Sequence, residues 1–421
     1  MKVSLKSLDK KFIPVLVGAG QFAEQSGRRI YLVGGAVRDI MLDRPTTDID
    51  LVMEGDAIPF ARKLCKHLRG RLTVHLSFGT ATLEFDRDRR VDLVGARAES
   101  YKRPGALPTV RKGDMNADAL RRDFTINAMA ISLNPSTFAE VRDCADGVAD
   151  LKAGLVRVLH DGSFRDDPTR IFRAARYEQR YGFRIERHTL GLLKEALEEQ
   201  VFDTISMQRY INEIDKIFAE ADPVPALRRL HRWKVFGRLH PDLRIRFGVL
   251  EHFHKYANNP AFPGDWGRID SGTVYWMAFL AGSSQATRIE LLRRVPFAKA
   301  RREHIAQLGE LNRLGQYLKT KRLRPSVLHA RLGGFSEEAL FYLFETNRKL
   351  NAWVNIRTYI ENRDTTLWIS GDDLKNLGVR SGRHIGEVLR GVLNRKLDNQ
   401  LKTKAEELVA ARSIIEEQQG E

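Results

Sequence analysis

From the N-terminus to Leu155 the apolar residues fall in short runs cut off by glycine, proline and charge. From Val156 onward they fall at helical spacing almost to the end of the chain. The run Tyr31-Leu32-Val33 stops at Gly34-Gly35. A helix is predicted from Ala36 to Leu42, then a loop through Pro45, then a second apolar run around Ile49, Leu51 and Val52. Residues 1–30 read as a helical lead-in, and Ala57 to Leu68 as a helix ended by Gly70. Arg71 to Val94 alternates in strand fashion (LTVHL, TATLEF, VDLV) and would complete a small mixed sheet around the first two strands. Ala96–Ala119 reads as a long loop, Leu120–Leu133 as an amphipathic helix or strand, and Asp143–Leu151 as a turn and helix start. The expected fold class is α+β, a small mixed-sheet head followed by helices.

Length and composition narrow the classes of function. A chain of 421 residues with 43% apolar content has room for packed cores, in roughly two to four domains. Its 70 Lys and Arg against 54 Asp and Glu leave a net charge of +16, which favours a polyanionic partner. Cys65 and Cys144 are the only cysteines, which excludes a disulfide framework and disfavours a cysteine-rich zinc site. The start MKVSLKSLDKKF lacks the apolar core of a signal peptide, and no apolar run is long enough to span a membrane. A soluble, cytoplasmic protein is expected.

The candidate chemistry begins in the second strand. Asp48 and Asp50, two residues apart, project from one face, while Ile49 points into the core. Two carboxylates that close repel unless a cation lies between them, and Mg²⁺ suits oxygen ligands left open to substrate phosphates. Gly34-Gly35 lets backbone N–H groups approach a phosphate, and Arg38 adds a cation one turn into the helix. Asp92, in a neighbouring strand, is the candidate third acid for two-metal phosphoryl transfer, with Glu84 as its competitor. Arg122 can hold phosphate; Asp123 and Asn127 can bond a ribose, or be a cap and surface polarity. Asp167 and Arg170, near the start of a helix at Pro168, share a face that Arg173 and Arg176 continue. That stripe is either a surface ion-pair ladder or an acceptor–donor pair reading the edge of a base. His252 and His254 lack helical metal-ligand spacing. Residues 261–272 read as a Pro/Gly-rich connection. Arg380, Arg383 and His384 flank a helix start and can grip phosphate.

YLVGGAVRD with DID, then RRDFTINAMA, DGVADL and DDPTRIFRAARY, stand in this order and together resemble the bacterial-type (class II) CCA-adding and poly(A) polymerase family. The match is specific through Phe183 and continues loosely to ISGDDLKNLG. The resemblance implies a nucleotidyltransferase head (1–155), a helical neck (156–220), a body (221–345) and a tail (346–421) in an elongated line. It implies that Asp48 and Asp50 bind Mg²⁺ with Asp92 as third acid, that Gly35 and Arg38 meet the triphosphate, and that Arg122 touches nucleotide. It further implies that Asp167 and Arg170 read the base, supported by Arg173 and Arg176. One departure stands out. The usual Glu-Asp-x-x-Arg is Asp166-Asp167-x-x-Arg170 here, which leaves base reading intact if Asp167 and Arg170 make the contacts.

The expected activity is transfer of CMP, AMP or both from CTP or ATP to a tRNA 3′ end, with pyrophosphate released. Family members without the long loop stop after CC, so by analogy A addition is possible here, with CC-only and A-only activity left open. A poly(A) polymerase and a non-catalytic RNA-binding protein are the alternatives.

Overall fold

The structure, a computed structural model, describes residues 1–421 except 77–78, 87–88, 258–268, 348, 380–381 and 420–421. Residues 261–268 of the stretch 261–272, and Arg380, therefore lie outside the described residues, while Asp270 caps a helix that begins at Ser271. The chain forms two units, residues 1–221 with 225–238 and residues 222–224 with 239–421.

In the first unit the alternating segments become strands β1 (Ile30–Val33), β2 (Ile49–Met53), β3 (Arg71–His75), β4 (Thr80–Glu84) and β5 (Arg90–Gly95). Strands β6 (Arg97–Ser100), β7 (Thr109–Lys112), β8 (Ala130–Ser132), β9 (Val141–Arg142), β10 (Leu155–Val156) and β11 (Arg184–Ile185) follow. The main sheet has seven strands in the order β3-β4-β5-β2-β1-β8-β9. It is mixed because β2 and β5 run parallel while β1 lies antiparallel to both β2 and β8.

Both faces of the sheet are covered, which is why β1 is apolar throughout and buried at every position. Helices α1 (Ile13–Gln25) and α3 (Ala57–His67) pack on one face. Between them and the strands lie Leu16, Ile30, Leu32 and Leu51, all essentially inaccessible. A Cβ on Gly20 of α1 would meet the Leu133 carbonyl at 1.8 Å, so only glycine allows that approach. The opposite face carries Tyr31, Val33, Val52 and Ala130 beneath α4 (Met115–Leu120). Helix α2 (Gly35–Met41) links β1 to β2.

Two expectations need correction. The segment 96–119 is not structureless: β6 and β7 pair antiparallel and α4 begins at Met115, so its longest free connection is 101–108. Residues 120–133 are neither one helix nor one strand. They make the end of α4, a 3₁₀ turn at Thr125–Asn127 and then β8.

After α5 (Gly147–Ala153) the unit is helical apart from a parallel β10–β11 ladder. Helices α6 (Ser163–Asp166), α7 (Thr169–Tyr181), α8 (Arg187–Glu198), α9 (Met207–Phe218) and α10 (Val224–Arg232) follow. Phe172 of α7 packs edge-on against Tyr210 of α9, and both rings contact Phe202. The buried Tyr210 hydroxyl donates to the Val235 carbonyl at 2.6 Å. Phe124, just before the 3₁₀ turn, meets Tyr177 edge-on and ties that turn to α7.

The second unit is helical throughout its described residues. Its cores include Phe253, Trp276 and Phe279, and towards the C-terminus Leu374, Val388, Val392 and Ala411. Helices at Gly371–Asn376 and Arg383–Leu397 form on either side of Gly378 and Gly382, as the glycine pattern there predicted.

Candidate active site

Register places the acids. Asp50 lies opposite Val33 on one side and Asp92 on the other, so both carboxylates leave the face that α4 covers further along. Asp48, one residue before β2, is exposed. Burial first, then the charges of Asp48 and Asp92, push the Asp50 carboxyl up to about 6, while Arg122 opposes them. An acid crowded in this way gains most from a cation. Glu84, the competitor, is exposed and opposite Arg90, two places along from the Thr82–Asp92 pair. Asp92 therefore flanks Asp50, and Glu84 does not. Asp92 is also held: Thr82 Oγ1 donates to it at 2.6 Å and Arg90 approaches at 3.4 Å. Among the described residues no three His, Cys, Asp or Glu side chains converge closely enough to hold a metal unaided. A divalent cation here would take Asp48 and Asp50 oxygens and complete its shell with substrate oxygens, consistent with the donor set.

The glycine turn faces the same acid. Gly34 has φ +73°, open to glycine. A Cβ there would lie 3.1 Å from Arg122 Nη1 and 3.9 Å from Asp50 Oδ2. Arg122 thus stands over the turn, oriented by Asp118, which is fully buried and 2.9 Å from it. Asp118 also holds Arg121 at 2.7 Å, and Arg121 reaches Glu99 at 3.1 Å. Neither acid was singled out from sequence, although Asp118 precedes the arginines at helical spacing, a readable signal.

Arg38, Asp123 and Asn127 are placed differently from expectation. Arg38 is 3% exposed. Its guanidinium donates to Asn127 Oδ1 and to both Asp39 oxygens, and it lies over the rings of Tyr177 and Tyr181. One of its Nη atoms remains near Gly35, 3.3 Å from where a Cβ would be. Asn127 Nδ2 donates to Asp123 Oδ1 at 2.9 Å, and both residues are buried. Their polar atoms serve one another and α7 rather than facing a ribose, because burial demands internal partners.

Asp167 falls in the turn between α6 and α7, and its Oδ1 accepts from Thr169 N at 3.0 Å, a cap-like bond. Arg170, 4% exposed, donates to Ser163 Oγ and to the Arg121 carbonyl at 3.0 Å. The Tyr101 hydroxyl lies in the same neighbourhood. Its pKa is pushed up to about 12, chiefly by burial and by Glu99, with Arg170 and Asp167 close enough to contribute. Arg173 pairs with Asp123 at 2.6 Å, and Arg176 with Glu220 at 2.7 Å. For these two arginines the ion-pair ladder is what the structure holds, with acids supplied from other elements.

In the second unit His252 faces Glu345 at 3.3 Å and His254 faces Asp222 at 3.7 Å. Arg383 and His384 both approach Glu387.

Paired acids on a mixed sheet, a glycine turn under an arginine and a following helical arm are the features of a nucleotidyltransferase head. Residues 30–157 match the poly A polymerase head domain, and residues 182–245 match the family described as a probable RNA and SrmB-binding site of polymerase A. The chain is 32% identical over 415 residues to the A-adding tRNA nucleotidyltransferase of Geobacter sulfurreducens, covering 96% of this chain but 47% of that relative. It is 30% identical to the A-adding tRNA nucleotidyltransferase of Halalkalibacterium halodurans, covering 93% and 92%. It is 27% identical to the CC-adding tRNA nucleotidyltransferase of Deinococcus radiodurans, covering 91% and 89%. Among solved structures, a CCA-adding enzyme in its apo form II superposes with TM-score 0.81 at 32% identity, covering 96% of each chain. The Thermotoga maritima CCA-adding enzyme complexed with tRNA gives 0.76 at 31% identity, covering 99% of each. The chain belongs to the tRNA nucleotidyltransferase/poly(A) polymerase family, whose enzymes generally use divalent metal. No described helix is long and apolar enough to cross a membrane.

Proposed function

We propose that this chain is a template-independent nucleotidyltransferase that adds AMP, CMP or both to the 3′ end of tRNA, using Mg²⁺ in the cytoplasm. The observation that carries the reading is Asp50, crowded by Asp48 and Asp92 and placed under Arg122 at the Gly34 turn. Divalent ions at such acids lower the pKa of an attacking hydroxyl and offset charge on a leaving pyrophosphate. The remaining work belongs to the chain. Asp48 and Asp50 provide the anionic face, and Asp92 keeps Asp50 crowded. Arg122, held by Asp118, brings a fixed positive charge to the phosphates, beside Gly34 and Gly35. Arg38 supports that turn from behind.

Selection falls to Asp167 and Arg170. A carboxylate acceptor beside a guanidinium donor complements an exocyclic amine next to a ring nitrogen. Adenine and cytosine both present that edge, while guanine and uracil present a carbonyl and N–H instead. The pair therefore admits ATP and CTP and rejects GTP and UTP, because a buried polar group left unpaired costs about 1–3 kcal/mol. Arg173 and Arg176 fix α7 through their ion pairs. The division into head (1–155), neck (156–220), body (221–345) and tail (346–421) goes with this reading, with tRNA as the polyanionic partner. AMP addition is favoured by the A-adding relatives matched over more than nine-tenths of this chain.

The test is incorporation from CTP alone, ATP alone and both, on tRNA transcripts ending at the discriminator base, at C and at CC, with the 3′ ends sequenced. Asp48→Ala is expected to lower incorporation by about 10³-fold or more. Full incorporation by that variant, or extension of any RNA end by AMP alone, overturns the assignment.

A further inference from the structure

The acid assigned to base reading is held from outside its own turn. Arg209 on α9, 29% exposed, donates through Nη2 to Asp167 Oδ1 at 2.9 Å and through Nη1 to the Gly105 carbonyl at 2.8 Å. The same Oδ1 accepts from Thr169 N at 3.0 Å and Thr169 Oγ1 at 2.6 Å. Three donors saturate that oxygen and fix the plane of the carboxylate. Oδ2 is left without a protein partner among the described residues. The far end of the guanidinium is anchored as well. The Gly105 N–H donates to the Arg165 carbonyl at 3.0 Å, and a Cβ on Gly105 would fall 2.1 Å from Thr204 Oγ1. The backbone Arg209 grips is therefore seated against its neighbours, and Gly105, at φ +67°, is the residue that permits it.

We propose that Arg209 is a positioning residue for base selection: it locks Asp167 with Oδ2 presented to the incoming base, and does not itself touch the nucleotide. The inference rests on the reading of Asp167 and Arg170 given above. A carboxylate rejects uracil or guanine only while it cannot turn aside. Terminal torsions of aspartate are broad and nearly two-fold, so with Arg209 gone and only the two Thr169 donors left, Asp167 would be freer to rotate and relieve the clash with a carbonyl. Loss of the clamp should then cost discrimination more than it costs binding.

Full-length wild type, Arg209→Ala, Arg209→Lys, Asp167→Ala and the Arg209→Ala/Asp167→Ala double variant are compared with each nucleoside triphosphate on the same tRNA transcript. In Arg209→Ala the kcat/KM ratio of the cognate nucleotide over UTP should fall about tenfold, with tRNA affinity and melting temperature unchanged. Arg209→Lys should recover part of the ratio, since an ammonium keeps the charge but loses the fork. The double variant should be no less selective than Asp167→Ala alone. Should Arg209→Ala not fold, Arg209→Gln is read in the same way. An equal loss for all four nucleotides, or an unchanged ratio, overturns the role given to Arg209. If Asp167→Ala itself leaves the ratio intact, base reading by Asp167 falls instead.

Discussion

At the scale of single residues, Asp50 would tie the protonation of the site to the cation proposed for it. Its carboxyl sits at about 6, raised by burial and then by Asp48 and Asp92, against 3.8 for an ordinary aspartate. A carboxyl whose pKa is raised on folding holds its proton more tightly in the folded state. Its contribution to stability is therefore fully present below the unfolded value and is lost as pH rises towards 6. At neutral pH the metal-free protein carries a repulsion that the proposed divalent cation would remove. Mg²⁺ should accordingly raise the melting temperature at pH 7.5, and the gain should fade below about pH 5 as the proton displaces the ion. Apparent Mg²⁺ affinity should drop about tenfold per pH unit below 6, as one-proton competition requires. Asp50→Asn should melt higher than wild type at pH 7.5 without Mg²⁺ and respond little to its addition. Thermal melts over pH and Mg²⁺ concentration measure this, and a Mg²⁺ response indifferent to pH between 5 and 7.5 would rule it out.

At the scale of elements, the turn from β1 into α2 is where sequence and site coincide. Gly34 adopts φ +73° with Arg122 beside its Cα. Gly34→Ala should cost about 1–3 kcal/mol of stability from the positive-φ backbone alone, at φ +73° and ψ −138°. It should also lower kcat/KM for the nucleotide, because the new methyl displaces Arg122 from the turn. Chemical denaturation gives the first figure and steady-state kinetics the second; unchanged kinetics in a destabilised variant would detach Arg122 from the phosphates. This unit was readable because apolar runs, a glycine pair and a helical period fall within one short stretch, and the period separates strand from helix. The β6–β7 hairpin was not. Every residue of β7 is exposed, so the strand leaves no apolar alternation to detect. The inward-facing roles of Asp123 and Asn127 were equally hidden, since Asn127 is fixed by Arg38 from 89 residues away. Local pattern could place Asp167 near a helix start, where it is. It could not show that Arg209, on another helix, holds the acid.

At the scale of the molecule, the net charge of +16 is what a long anionic partner would sense. Many arginines are already matched within the fold, among them Arg165 with Glu199 and Arg229 with Glu178. Such pairs add nothing to the excess, which must therefore come from cations outnumbering acids over the rest of the surface. A nucleotide and a tRNA should consequently respond differently to salt. On the proposed reading the nucleotide meets a few groups at one crowded site. The tRNA releases counterions from every phosphate that a Lys or Arg neutralises. With about six such contacts, tRNA affinity should fall by about 10³ between 50 and 200 mM salt. The KM for ATP, measured at saturating tRNA, should move far less over the same range. Filter binding or fluorescence anisotropy across a salt series gives the slope of log Kd against log salt. A slope near zero would mean that the +16 is not spent on the phosphate backbone, and that tRNA is held by shape and base contacts alone.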